Sequence, residues 1–73
     1  MPDVNKDKVE RIKANYPEGT RIKLIHTGRD LNPVPDNTLG TVRCVDDAGT
    51  IHCIFDNGRC LGIIPDEDDF CKI

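Results

Sequence analysis

The segment Ile51–Ile64 constrains this chain more than any other. Two apolar runs rich in β-branched residues, Ile51–Phe55 and Leu61–Ile64, flank Asp56-Asn57-Gly58. Asn-Gly and Asp-Gly steps between such runs are the strongest short-range hairpin signal, because asparagine and glycine tolerate the positive φ that tight hairpin turns require. The segment predicts a small, β-rich domain and is silent about activity.

The hairpin has two readings, and they place the side chains on opposite faces. A two-residue Asn57-Gly58 loop pairs Phe55 with Cys60 and groups Ile51, Cys53, Phe55, Cys60, Gly62 and Ile64. A three-residue loop with Gly58 as a left-handed bulge pairs Phe55 with Arg59 and groups Ile51, Cys53, Phe55, Leu61 and Ile63. The second buries the larger apolar set and is preferred. It points Cys53 inward and Cys60 outward.

The rest of the chain fits the same class. Residues 3–15 read as a short helix, with Val9, Ile12 and Tyr16 on one stripe, stopped by Pro17. Thr20–His26 alternates as a half-buried strand, Ile22 and Leu24 inward, Arg21 and Lys23 outward. Thr27–Asn37 reads as a loop stiffened by Pro33 and Pro35. Thr38–Val45 reads as a second strand, in which the odd spacing of Val42 and Val45 implies a bulge near Arg43-Cys44. Strands at Thr50–Phe55, Arg59–Ile64 and Phe70–Ile73 follow, the last after an acidic turn at Asp66–Asp69. The expected fold is all-β, a small SH3-like five-stranded barrel over residues 17–73, preceded by a helix and lead-in over residues 1–16.

The order of motifs also carries a resemblance. Tyr16-Pro17-Glu18-Gly19-Thr20-Arg21-Ile22-Lys23-Leu24-Ile25 is followed by a proline-containing loop, then Leu39-Gly40-Thr41-Val42, then Val45–His52, Phe55–Gly58 and Leu61–Pro65 with Asp68 and Phe70. Over residues 16–73 this resembles a bacterial domain family of unknown function, number 4314, met in Firmicutes and their mobile elements. The resemblance implies the barrel and a bacterial or mobile-element setting, and no site residues. The family pattern often carries Trp where this chain has Phe55, and it is not cysteine-rich.

Length limits the chemistry. With 73 residues the chain supports one marginal core and no interdomain cleft. No run approaches the roughly 20 apolar residues of a membrane span, and Met1–Lys6 lacks the apolar segment of an export leader. A cytoplasmic protein with reduced thiols is therefore expected. Net charge is −3, against bulk-charge binding of nucleic acid. The charge divides unevenly, +2 over residues 1–43 and −5 over residues 44–73, which reads as a solvated acidic end.

Cys44, Cys53, Cys60 and Cys71 show none of the close pairing typical of zinc ligands, and with Cys53 and Cys60 on opposite faces no metal or other cofactor is expected. Cys60, beside Arg59, is the most reactive thiol candidate. Asp46-Asp47 and Asp66–Asp69 read as exposed turn residues rather than an acid–base pair. No catalytic residue is expected. Two surfaces suggest binding. Leu31 and Val34, in the proline loop, and Ile54, on the outer sheet face, are candidate protein contacts. One of the two loop residues could instead close the open end of the barrel. The alternative is a nucleic-acid interface through Arg21, Lys23, Arg43 and Arg59. The leading expectation is a non-enzymatic module with a protein partner.

Overall fold

A computed structural model describes residues 6–27 and 34–73. The described chain is mostly β, with one helix, α1 (Lys6–Asn15), and five strands: β1 (Arg21–Thr27), β2 (Thr38–Val45), β3 (Ile51–Phe55), β4 (Cys60–Ile63) and β5 (Asp68–Lys72). All neighbours are antiparallel in one sheet of order β4-β3-β2-β1-β5. The pairing does not close on itself, and β4 and β5 form the two edges.

Both tight hairpins use the three-residue loop. Phe55 N–H donates to Arg59 O at 2.8 Å and Gly58 N–H to Phe55 O at 2.9 Å, with Gly58 at φ 86°. Asp46 N–H donates to Thr50 O at 3.0 Å and Gly49 N–H to Asp46 O at 2.9 Å, with Gly49 at φ 86°. In each, glycine takes the left-handed position that would strain any other L-residue. The register follows: Cys53 pairs with Leu61 and Ile54 with Cys60, so Cys53 is buried and Cys60 exposed.

The bulge expected near Arg43-Cys44 is present. Val42 pairs with Cys53 and Cys44 with His52, leaving Arg43 as the extra residue. A second bulge, not foreseen, lies in β1: Leu24 pairs with Phe70 and His26 with Asp69. Ile25 keeps the outward place that alternation gives it, 41 % exposed, and beyond the bulge His26 is exposed and Thr27 buried.

The core is Ile22, Leu24, Val34, Val42, Ile51, Cys53, Phe55 and Ile63, with Ile12, Tyr16, Val45, Leu61 and Phe70 packed around it. The helix covers part of the core at the β2–β3 turn. An added Cβ on Gly49 would lie 3.4 Å from Ile12 Cδ1 and 3.6 Å from Val9 Cγ2, so the turn lies flush against α1. Tyr16 meets Phe70 at a centroid distance of 5.5 Å, with Lys72 Nζ 5.0 Å from the Tyr16 ring. Lys13–Asp47 (3.2 Å) and Lys8–Asp66 (2.7 Å) add exposed ion pairs of small energetic weight.

Two expectations require correction. Val34 is fully buried; it belongs to the core and is no surface contact, because the chain entering β2 turns its side chain under the sheet. Asp68 is not a solvated turn residue. It is 4 % exposed, accepts from Thr27 Oγ1 at 2.6 Å through Oδ1 and from Ile64 N–H at 2.9 Å through Oδ2. A buried carboxylate needs such donors to offset lost hydration. Leu31, the other loop candidate, lies outside the described residues.

Candidate functional site

Strand alternation separates two faces. The outer face of the sheet carries a row running Arg21, Thr41, Ile54 and Cys60 across four strands, each residue the register partner of the next. Lys23 lies beside this row between Leu39 and Cys71, and His52 lies on its other side between Cys44 and Gly62. Arg21, Lys23, Arg43, His52 and Ile54 thus fall on the adjoining strands β1–β3.

The charges on this face are not equally available. Arg21 is already bound: its guanidinium donates to both carboxylate oxygens of Asp56 at 3.0 and 2.9 Å, and to Thr41 Oγ1 at 2.8 Å. The forked contact lowers the Asp56 carboxyl below the usual range. Arg59 leaves the patch altogether. Its carbonyl accepts from Phe55, so the strand register assigns it to the Phe55 side at the hairpin end, away from Ile54. Lys23 and Arg43 have no ion pair or side-chain hydrogen bond among the described residues.

An open concavity of about 370 Å³ lies over the β3–β4 hairpin, lined by Arg43, His52, Ile54, Cys60 and Gly62 among others. Gly62 helps shape it. A Cβ there would fall 2.8 Å from Thr50 Cγ2, too close to be accommodated without a shift, and at an ordinary contact distance of 3.8 Å from the His52 ring, so it is Thr50 that requires glycine here. His52 Nε2 lies 2.8 Å from Asp46 Oδ2, while Asp46 Oδ1 accepts from Ala48 N–H at 3.0 Å and Thr50 N–H at 2.9 Å. The His52 contact, then the backbone donors, hold the Asp46 carboxyl below its ordinary range. A second concavity of about 360 Å³ lies between the end of α1 and β2, lined by Lys13, Tyr16, Pro17, Glu18, Arg43 and Val45, with Cys44 at its wall. Arg43 borders both.

The four thiols are free. Burial pushes the Cys53 thiol up to about 12, with Cys44 a smaller contribution. Among the described residues, no three His, Cys, Asp or Glu side chains converge on a point where they could hold a metal ion.

Two features escaped sequence reasoning. The Arg21–Asp56 pair spans 35 positions, and no local pattern signals it. The second concavity needs the docked helix and the bulge together. No curated protein and no solved structure matches the chain. A family model does match, over residues 5–73, extending through the helix the stretch in which the motifs lie, and the chain belongs to the family described as Domain of unknown function (DUF4314).

Proposed function

We propose that the chain is a non-enzymatic binding module with an SH3-like, strongly bent sheet, which contacts a protein partner through the outer face of β2–β4 in a bacterial cytoplasm or mobile-element setting. The β5-β1-β2-β3-β4 order supports the SH3-like reading, since in such barrels the last strand returns to pair with the first. One observation carries the functional reading: the concavity over the β3–β4 hairpin has half-buried Ile54 at its side and at its rim a guanidinium with no ion pair among the described residues. Apolar surface beside an unpaired arginine is the composition favoured at protein contacts.

The alternative, a nucleic-acid interface, is left with Lys23 and Arg43 as the cations on this face that have no ion pair among the described residues. Two phosphate contacts release few counter-ions and supply little affinity at physiological salt.

Ile54→Asp tests the reading, because the side chain stands on the outer face and the substitution leaves the buried core intact. Proteins retained by the immobilised chain from a lysate of its host are expected to be lost with Ile54→Asp, at unchanged circular dichroism. Retention of the same proteins by both forms would overturn the reading. Binding of a fluorescent oligonucleotide that weakens steeply with salt would favour the alternative.

A further inference from the structure

Arg43 is placed where it is by the bulge. Between Gly40 and Val45, the stretch of β2 that pairs with β3, it is the one residue the ladder skips, and bulges commonly re-aim a side chain beside a functional site. Its side chain borders the hairpin concavity on one side and the helix-end concavity on the other. The two hollows meet at Arg43, with Ile54 and His52 lining one and Val45, Tyr16 and Pro17 lining the other, and together make one candidate track.

The other charges bordering this track are committed or repulsive. His52 faces Asp46 at 2.8 Å, and Lys13 faces Asp47 at 3.2 Å. Glu18 lines the far hollow and opposes a second anion. The track offers one strong, forked donor set at its centre, flanked by apolar surface. That set matches one carboxylate on an extended chain, and not a phosphate backbone with its regularly spaced charges.

Resting on the binding-module reading, we infer that this track receives an extended peptide segment carrying a single carboxylate flanked by apolar side chains, with Arg43 as the carboxylate's partner. Arg43 gives the selectivity for the acid, and the Ile54 and Tyr16–Val45 hollows take the flanking side chains.

The test is an amide-resolved NMR titration of the full chain with three blocked peptides, acetyl-Ser-Val-Glu-Ile-Ser-amide and its Gln and Lys counterparts. The Glu peptide is expected to shift the amides of Arg43, Val45 and Ile54, with the Gln peptide weaker by about fivefold or more and the Lys peptide silent. Arg43→Gln should bring the Glu peptide down to the Gln peptide's level while the remaining spectrum holds its positions. Equal binding of all three peptides at these amides would overturn the carboxylate assignment and leave the binding-module reading standing. No shift at these amides with any peptide up to about 5 mM would overturn the track as a peptide site. Tighter binding of a short oligothymidylate to the same amides would overturn both readings.

Discussion

The Cβ that Gly40 lacks would stand 2.8 Å from Cδ2 of Phe55, its register partner on β3. Phe55 is 1 % exposed and sits in the core cluster, so its ring cannot swing out to make room. Glycine at this position is a packing requirement, and its φ has no part in it. Gly40→Ala is expected to destabilise the fold by about 1–3 kcal/mol, the usual cost of overpacking a core. Urea unfolding of the two forms would measure it. Phe55→Leu in the Gly40→Ala background should recover part of the loss, which a conformational role for the glycine would not allow.

The buried Thr27–Asp68 pair ties the start of β5 to the end of β1, and Asp68 also holds the Ile64 N–H. Asp68→Ala removes the acceptor of the buried Thr27 hydroxyl and of the part-buried Ile64 N–H, and the expected cost is about 2–3 kcal/mol. Thr27→Val removes one hydroxyl and should cost less. In a double-mutant cycle the two losses should fall short of additivity by about 1 kcal/mol; strict additivity would show that the hydroxyl and the carboxylate contribute independently.

Thiol reactivity should divide three against one. Cys44, Cys60 and Cys71 are exposed and Cys53 is 2 % exposed, with its thiol pushed up to about 12. The thiolate is the nucleophile, so iodoacetamide at mild alkaline pH should label three cysteines in the folded protein, and Cys53 only on unfolding in urea. Peptide mass spectrometry resolves the sites. Prompt labelling of Cys53 would show that the β3–β4 hairpin opens locally.

Among the described residues two carboxyls are depressed in the folded chain, Asp56 by Arg21 and Asp46 first by His52. A lowered folded value means that the unfolded state takes up protons first as pH falls. Their contribution to stability is therefore complete above the unfolded carboxyl value of about 3.9 and is lost as pH drops below it through the folded values. The melting temperature of the wild type should fall more steeply below about pH 4 than that of the double variant Asp46→Asn, Asp56→Asn. Parallel curves would show that neither pair contributes.

The contrast between the two bulges shows what was legible beforehand. Val42 and Val45 are three apart, a spacing that strict alternation cannot bury, so the bulge at Arg43 could be read from the residues alone. Ile25 gives no such sign. Alternation already places it outward beside Lys23, and the irregularity shows only in the β1–β5 register, with His26 turned outward and Thr27 inward. The hairpin register was readable because glycine geometry and apolar area agreed. The fate of Arg21 and Val34 was not, since the first depends on a neighbour distant in sequence and the second on a loop's path, whereas Arg59 follows from the hairpin register that pairs it with Phe55. The acidic run at Asp66–Asp69 misleads for the same reason: composition marks it as solvated, and the donors that bury Asp68 come from Thr27 and Ile64.

The sheet places the earliest strand, β1, between β2 and the last strand, β5, and Ile73 N–H reaches Arg21 O at 3.2 Å. Chain synthesis and chain closure are thereby separated. The β2–β3–β4 meander can assemble from contacts close in sequence, while β1 keeps an open side until β5 pairs with it, and long loop closures of that kind slow folding. A nascent or C-terminally clipped chain would expose the flank of β1, with Leu24 and Ile25 beside it, to whatever strand came first.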